Sequence, residues 1–210
     1  MRASHLLAPI IVGTLIIMPT AQAKQGDELI GKEAPGWELQ SWLNSKPIKL
    51  DDLRGKVVLV RWWTGPNCPY CSSSAPALNE WHTAYANRGL AVIGMYHPKP
   101  LRRQSIKDVK RFAKQKGFEF PIALDMDWKE LHRWWLHTKG RRWTSISFLI
   151  NKKGTIRYIH PGGEYHKGGP HTPGVAVKEC EKTYDEMKSL IEKLLEEPTQ
   201  DRPKPSKSKS

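Results

Sequence analysis

Cys68-Pro69-Tyr70-Cys71 places two thiols one helical turn apart. Pro69 suits the first position of a helix, where its missing N–H costs nothing. Cys68 then stands at the N-cap, its sulfur facing free backbone N–H groups and the positive end of the helix dipole. Both favour thiolate over thiol, and the thiolate is the form that attacks a disulfide. Cys71 is close enough to bond to Cys68 and, as the more buried of the two, is expected to be the resolving thiol. Three other readings use the same residues. A purely structural disulfide is one, but so small a loop adds little stability. Half of a zinc site is another, but no second CxxC or paired histidine spacing follows. Covalent haem attachment is the third, but Ser72 stands where CxxCH needs histidine.

The pair needs a strand before it and a helix after it. Residues 56–63, KVVLVRWW, form a β-branched and aromatic run that reads as a buried central strand. Residues 90–96, LAVIGMY, read as a second strand. Between them Ala75, Leu78, Trp81, His82 and Tyr85 recur at helical spacing, and Gly89 is the expected C-cap. Ile106, Val109, Phe112 and Ala113 mark another amphipathic helix, with Ser105 and Asp108 placed as a capping box. Residues 147–150 and 155–159 flank a turn containing Gly154 and read as a hairpin. Tyr184, Met187, Ile191 and Leu194 mark a C-terminal helix. This ordering predicts an α/β fold with a mixed central sheet flanked by helices.

The chain has 210 residues, 39% of them hydrophobic, with nine tryptophans, which excludes a wholly disordered polar chain. Residues 1–23 read as a secretory signal peptide: Arg2, an apolar stretch from Leu6 to Met18, and Ala21-Gln22-Ala23 as a cleavage site. The stretch is shorter than the ~20 apolar residues of a membrane span. Export places the thiols in an oxidising compartment, the periplasm or its equivalent. Residues 24–28 read as a flexible lead-in, 29–195 as the folded domain, and 196–210 as a disordered basic tail. Lys and Arg number 34 against 21 acids, a formal charge of +13. From Lys99 to Gly117 there are eight basic residues and one acid. That is either a solvated helix face or a surface for acidic protein partners or anionic membrane. No nucleic-acid-binding motif accompanies it, and nucleic acid is not an expected partner.

Several polar residues fall near the expected site. His97, in Tyr96-His97-Pro98, ends the second strand, on the edge where ligands collect in open α/β sheets. It reads as an ordinary loop histidine, or else as a proton donor or metal co-ligand. His160 allows the same readings, and Glu164 and Tyr165 are expected to close over the site from the Gly-rich turn beside it. Of Trp134, Trp135 and Trp143, some are expected in the core and one or two along a groove near the cysteines. Arg141 or Arg142 is a candidate to stabilise the Cys68 thiolate. Cys180 lies on the apolar stripe of the C-terminal helix and reads as a buried free thiol. A second resolving cysteine, or an intermolecular disulfide, is the other reading.

The sequence resembles the thioredoxin superfamily, and most closely the TlpA-type periplasmic thiol–disulfide oxidoreductases of the redoxin group. The resemblance covers about residues 29–165. Its landmarks are Gly31-Lys32-Glu33-Ala34-Pro35, Leu50-Asp51-Asp52-Leu53-Arg54-Gly55-Lys56, the strand ending Trp62-Trp63, the Cys68–Cys71 motif, and Phe148-Leu149-Ile150-Asn151 leading to Gly154. It implies a thioredoxin-like fold with an N-terminal extension and inserted segments, catalysis by Cys68 and Cys71, and protein thiols and a redox partner protein as partners, with no cofactor. Trp63, Pro66, Pro69, Tyr70, Ser145 and His97 are the expected supporting residues.

Departures from the family pattern are specific. Ser145 stands where the family has a cis-proline. A non-proline cis bond costs roughly 2.5–4 kcal/mol, so a trans bond is expected there, with the Ser145 hydroxyl free to approach Cys68. Arg61 stands where thioredoxin has a buried acid, leaving Glu80 or a water to take the Cys71 proton. The segment from Leu131 to Trp143 is longer and richer in tryptophan than usual. Two further functions fit the residues less well. A peroxiredoxin-like thiol peroxidase needs its Thr three residues before the reactive cysteine, but Thr64 is four before Cys68. A copper-binding chaperone would use Cys68, Cys71 and His97 or His160.

Overall fold

The β-branched and aromatic run after Lys56 forms strand β2, Val57–Trp63, and every one of its residues is buried. The structure is a computed structural model that describes residues 25–65, 68–99, 104–169 and 171–198. The expected signal segment 1–23, Pro66 and the tail beyond 198 lie outside the described residues. β2 is paired in parallel with β3, Leu90–Tyr96, and antiparallel with β5, Ser147–Ile150. β6, Ile156–His160, continues antiparallel beyond β5. On the other side β4, Ile122–Leu124, runs parallel to β3, and β1, Trp42–Leu43, closes the edge antiparallel to β4. The sheet is mixed, in the order β1-β4-β3-β2-β5-β6. Sequence patterning missed β1 and β4 because two and three residues are too few to show a period of two.

Strand side chains alternate between faces, so β2 feeds two cores. Val57, Leu59 and Trp63 pack in one cluster with residues of α1 (Pro69–Tyr85), α2 (Ile106–Gln115) and α4 (Val177–Glu196). Val58, Val60 and Trp62 pack in the other with Ala34, Trp37, Leu50 and Leu53 of the N-terminal extension and with Trp134, Trp135 and Ile146. Arg61 shares the first face by alternation, a cation among apolar neighbours.

The helices follow their expected stripes with two corrections. α1 ends at Tyr85 and passes into a 3-10 turn, Ala86–Arg88. Gly89 closes that turn rather than the helix itself, at φ 101°, a left-handed conformation that favours glycine. In α2, Ser105 Oγ accepts from the Asp108 N–H at 3.2 Å and the Asp108 carboxylate accepts from the Ser105 N–H at 3.3 Å, the expected capping box. Ile106, expected on the buried stripe, is instead 53% exposed; the first turn points it outward while Val109, Phe112 and Ala113 are buried.

The tryptophan-rich insertion is held by a buried acid. Asp125 accepts from the N–H groups of Glu130 and Leu131 at 3.0 and 2.7 Å, starting the one-turn helix α3, Lys129–Leu131, which runs into a π-helical stretch, His132–Leu136. Trp134 and Trp135 are thereby buried against Phe148. Among the described residues no helix is long and apolar enough to cross a membrane.

Candidate active site

α1 begins at the end of β2, and Pro69 occupies its first turn. Cys68 is the N-cap, in an extended conformation at φ −96°, ψ 99°, and its Sγ accepts from the Cys71 N–H at 3.2 Å. The two cysteines are joined as a disulfide with their Cα atoms 5.3 Å apart. Cys71 is 6% exposed and belongs to the core, whereas Cys68 is only partly buried. The outer sulfur is therefore the one a partner can reach. Once reduced, it keeps the Cys71 N–H and the positive end of the α1 dipole beside it, which stabilise negative charge.

Cys68, Pro69 and Tyr70 line a groove of about 360 Å³, faced by Lys99, Arg142, Trp143, Thr144 and Ser145. Trp143 is 51% exposed, and its ring meets that of Tyr70 edge-on at 5.7 Å. Gly162 makes this position available. A Cβ there would lie 2.4 Å from Trp143 Cβ, and its φ of 142° disfavours other residues. Lys99 Nζ donates to Thr144 Oγ1 at 3.1 Å, and burial lowers the lysine's pKa. No acid lines the groove among the described residues. Its charge thus suits a thiolate, or acidic side chains beside a substrate disulfide.

Behind the pair lies Arg61, 1% exposed. Its guanidinium donates to the carbonyls of Ser145 at 2.7 Å, Gly163 at 2.8 Å and Tyr70 at 3.4 Å, and to the hydroxyls of Ser147 and Ser74. It also packs over the Tyr165 ring, 5.1 Å from its centroid. Burial lowers its pKa, partly offset by Tyr165 and Glu164. One side chain therefore ties the first turn of α1 to the 145 loop and to the Gly-rich turn. The peptide bonds of the described residues are all trans, Thr144–Ser145 included, and Ser145 presents its carbonyl to Arg61 in place of the expected approach of its hydroxyl to Cys68.

Other expected residues fall elsewhere. Trp63 is in the core, edge-on to Tyr96 and Phe118 at 5.1 and 5.4 Å, on the Cys71 side rather than along the groove. His97 is fully buried against Trp128 at 4.7 Å, and burial next to Lys99 lowers its pKa to about 4. It is a neutral packing histidine, not an exposed loop residue. His160 is likewise lowered to about 3 by burial and by Arg61. Arg141 turns away from Cys68, pairs with Glu28 and stacks over Trp135, leaving Arg142 at the groove. Glu80 accepts from Tyr184 Oη at 2.6 Å and Lys188 at 3.4 Å. Nine residues of helix, about 13 Å, separate it from Cys71, so it is not the base. Glu164 and Tyr165 do not close over the site either. Tyr165 is buried, bonded to Ser147 at 3.0 Å and stacked on Trp81 at 5.5 Å, because Arg61 draws the turn inward. The Arg61 clamp was missed by sequence reasoning. A cation inside a strand of apolar residues was the one available signal.

The chain's likenesses agree with this geometry. The AhpC/TSA family model matches residues 30–159. Protein DipZ of Mycobacterium tuberculosis is 36% identical over 132 residues, 61% of this chain but only 18% of DipZ. The thiol-disulfide oxidoreductase ResA of Bacillus anthracis is 34% identical over 127 residues, 60% of this chain and 66% of ResA. The chain thus spans under a fifth of one relative and just under two thirds of the other. Among solved structures, the thioredoxin domain of a thiol-disulfide oxidoreductase from Bacteroides vulgatus superposes with a TM-score of 0.54 at 18% identity, covering 77% of this chain and 97% of that one. A thiol:disulfide interchange protein of the thioredoxin family from Chlorobium tepidum gives 0.53 at 19% identity, covering 83% and 99%. With a mixed sheet that delivers two cysteines to a helix N-terminus, and a family model spanning more than half its length, this chain belongs to the AhpC/TSA family within the thioredoxin superfamily and has a thioredoxin-like fold.

Proposed function

We propose that the chain is an exported thiol–disulfide oxidoreductase whose 29–195 domain exchanges disulfides with protein thiols through Cys68 and Cys71. The observation that carries this reading is the N-cap placement of a partly exposed Cys68 beside a cationic groove, with Cys71 buried one turn behind. In the reducing direction the Cys68 thiolate attacks a substrate disulfide. One substrate thiolate leaves and a mixed disulfide forms. The Cys71 thiolate then attacks Cys68 Sγ, expels the second substrate thiolate and restores the Cys68–Cys71 bond. Arg61, held against the carbonyl of Tyr70, the residue before Cys71, puts a buried positive charge behind the pair at the strand position where thioredoxin has an acid. A cation there favours the resolving thiolate over the thiol, and the proton leaves to solvent. Tyr70 and Trp143 give the groove an apolar wall for a protein segment, and Arg142 and Lys99 orient acidic neighbours of its disulfide. The signal-like 1–23 segment supports export to an oxidising compartment.

Dithiol-dependent reduction of insulin tests the reading. Cys68→Ser abolishes turnover, and Cys71→Ser traps mixed disulfides with substrate on non-reducing gels. Turnover that survives in Cys68→Ser rejects the proposal. Oxidation of the reduced protein by peroxide at an ordinary free-thiol rate separates this function from a thiol peroxidase.

A further inference from the structure

Three donor side chains unused by disulfide exchange meet between the loop after β6 and the first turns of α4. They are Glu164, His166 and Cys180, all buried, with their donor atoms within 4.8 Å of one another. His166 is 2% exposed. Its Nδ1 lies 2.9 Å from the Gly168 carbonyl oxygen. A carbonyl only accepts, so Nδ1 carries a proton, and Nε2 is the ring nitrogen left to bind a metal. That Nε2 has no hydrogen-bond partner, yet it faces Glu164 Oε1 at 3.4 Å. A carboxylate oxygen and an imidazole nitrogen facing each other in a buried site call for a positive charge between them, supplied either by a second proton on the ring or by a cation. Cys180 Sγ lies 3.9 Å from the same Oε1.

These separations fit a known coordination geometry. Tetrahedral zinc, with bonds of ~2.0–2.3 Å, spaces its ligand atoms roughly 3.3–3.8 Å apart. Two of the three donor separations already lie close to that range. A backbone carbonyl on Nδ1 is the usual means of orienting a metal-bound histidine. Glu164 is oriented as well: Oε1 accepts from the Thr172 N–H at 2.9 Å, and Oε2 accepts from the Thr172 hydroxyl. We propose that Glu164, His166 and Cys180 form a zinc(II) site that ties the loop after β6 to α4. Binding releases the Cys180 thiol proton to solvent and involves no change of oxidation state. The fourth position is left to water or to His171, whose ring stacks on His166 at 6.4 Å.

The test uses the full chain carrying Cys68→Ser and Cys71→Ser, which removes the other thiols. The metal-free protein is titrated with cobalt(II) and then with zinc(II). One equivalent of cobalt giving a thiolate-to-metal charge-transfer band, displaced by zinc and abolished by Cys180→Ser or His166→Gln, supports the site. No band, or a band that survives both substitutions, overturns it. Native mass spectrometry of zinc-loaded protein with Cys180 and His166 intact reads the same site without relying on those two variants. One zinc per chain at stoichiometric addition supports the proposal, and none overturns it. Neither readout depends on disulfide exchange.

Discussion

Cys68 and Cys180 both lie near the beginning of a helix, yet their surroundings are opposite. Cys68 accepts a backbone N–H and borders a groove lined by Lys99 and Arg142. Cys180 is inside α4, 3% exposed, and donates to the Glu164 carboxylate; burial and that negative charge push its thiol pKa up. Helix position alone therefore does not activate a thiol. Being the N-cap rather than a later residue, the sign of the nearest charge and access to a partner decide it. Arg61, Tyr165 and His160 form the wall behind the active pair, and Glu164 follows Tyr165 in the chain, so the two sulfur environments share one boundary.

The sharpest break of this contrast is genetic. Cys68→Ser should drop insulin reduction to the uncatalysed background, while Cys180→Ser should change it less than about twofold, because that buried thiol takes no part in the exchange. Equal losses in the two variants would erase the distinction. Two buried histidines make the fold pH-sensitive. His97 and His160 titrate near 4 and 3 in the fold, against about 6.5 when unfolded. Below pH 6.5 the unfolded chain binds more protons than the native one. Stability should therefore fall from pH 6.5 downward and level off only near the folded values, by on the order of 3–6 kcal/mol at pH 4. Urea midpoints across that range check it, and His160→Gln should flatten the slope.

Arg61→Met strands the Ser145 and Gly163 carbonyls in the interior. Chemical denaturation should show a loss of about 2–4 kcal/mol, and mixed disulfides should persist longer because Cys71 resolves them more slowly. A variant as stable as its parent would remove the clamp from the account. The smallest effect is expected at the rim. Trp143→Ala should raise KM for a protein disulfide about tenfold, roughly 1.4 kcal/mol of binding, with kcat unchanged. Because Trp143 is half exposed, stability should move by no more than about 0.5 kcal/mol.

Much of the framework could be read along the chain because its signals are local. β3 and β5 have the limits that their apolar runs predict, and the α2 capping box needs only Ser105 and Asp108 three residues apart. The Cys68 N-cap follows from Pro69 after a strand. Residues whose roles depend on distant partners were not legible. Whether Arg141 or Arg142 faces the thiol is set by Glu28 and Trp135, remote in sequence. Tyr165 reads as a lid because it follows a Gly-rich turn, but Arg61, 104 positions earlier, holds that turn inside. Ile106 satisfies the helical period, yet it lies in a first turn that nothing covers.

By itself the amino-acid order determined the strand–cysteine–helix unit, the two-faced central strand and which sulfur of the pair caps the helix, since capping, alternation and the helix dipole act over a few residues. The tertiary structure alone decided what surrounds each sulfur. It set the cations beside Cys68, the buried clamp behind Cys71 and the carboxylate and imidazole beside Cys180. Electrostatic environment depends on distance in space, and packing brings those groups together across 16 to more than 80 positions of chain.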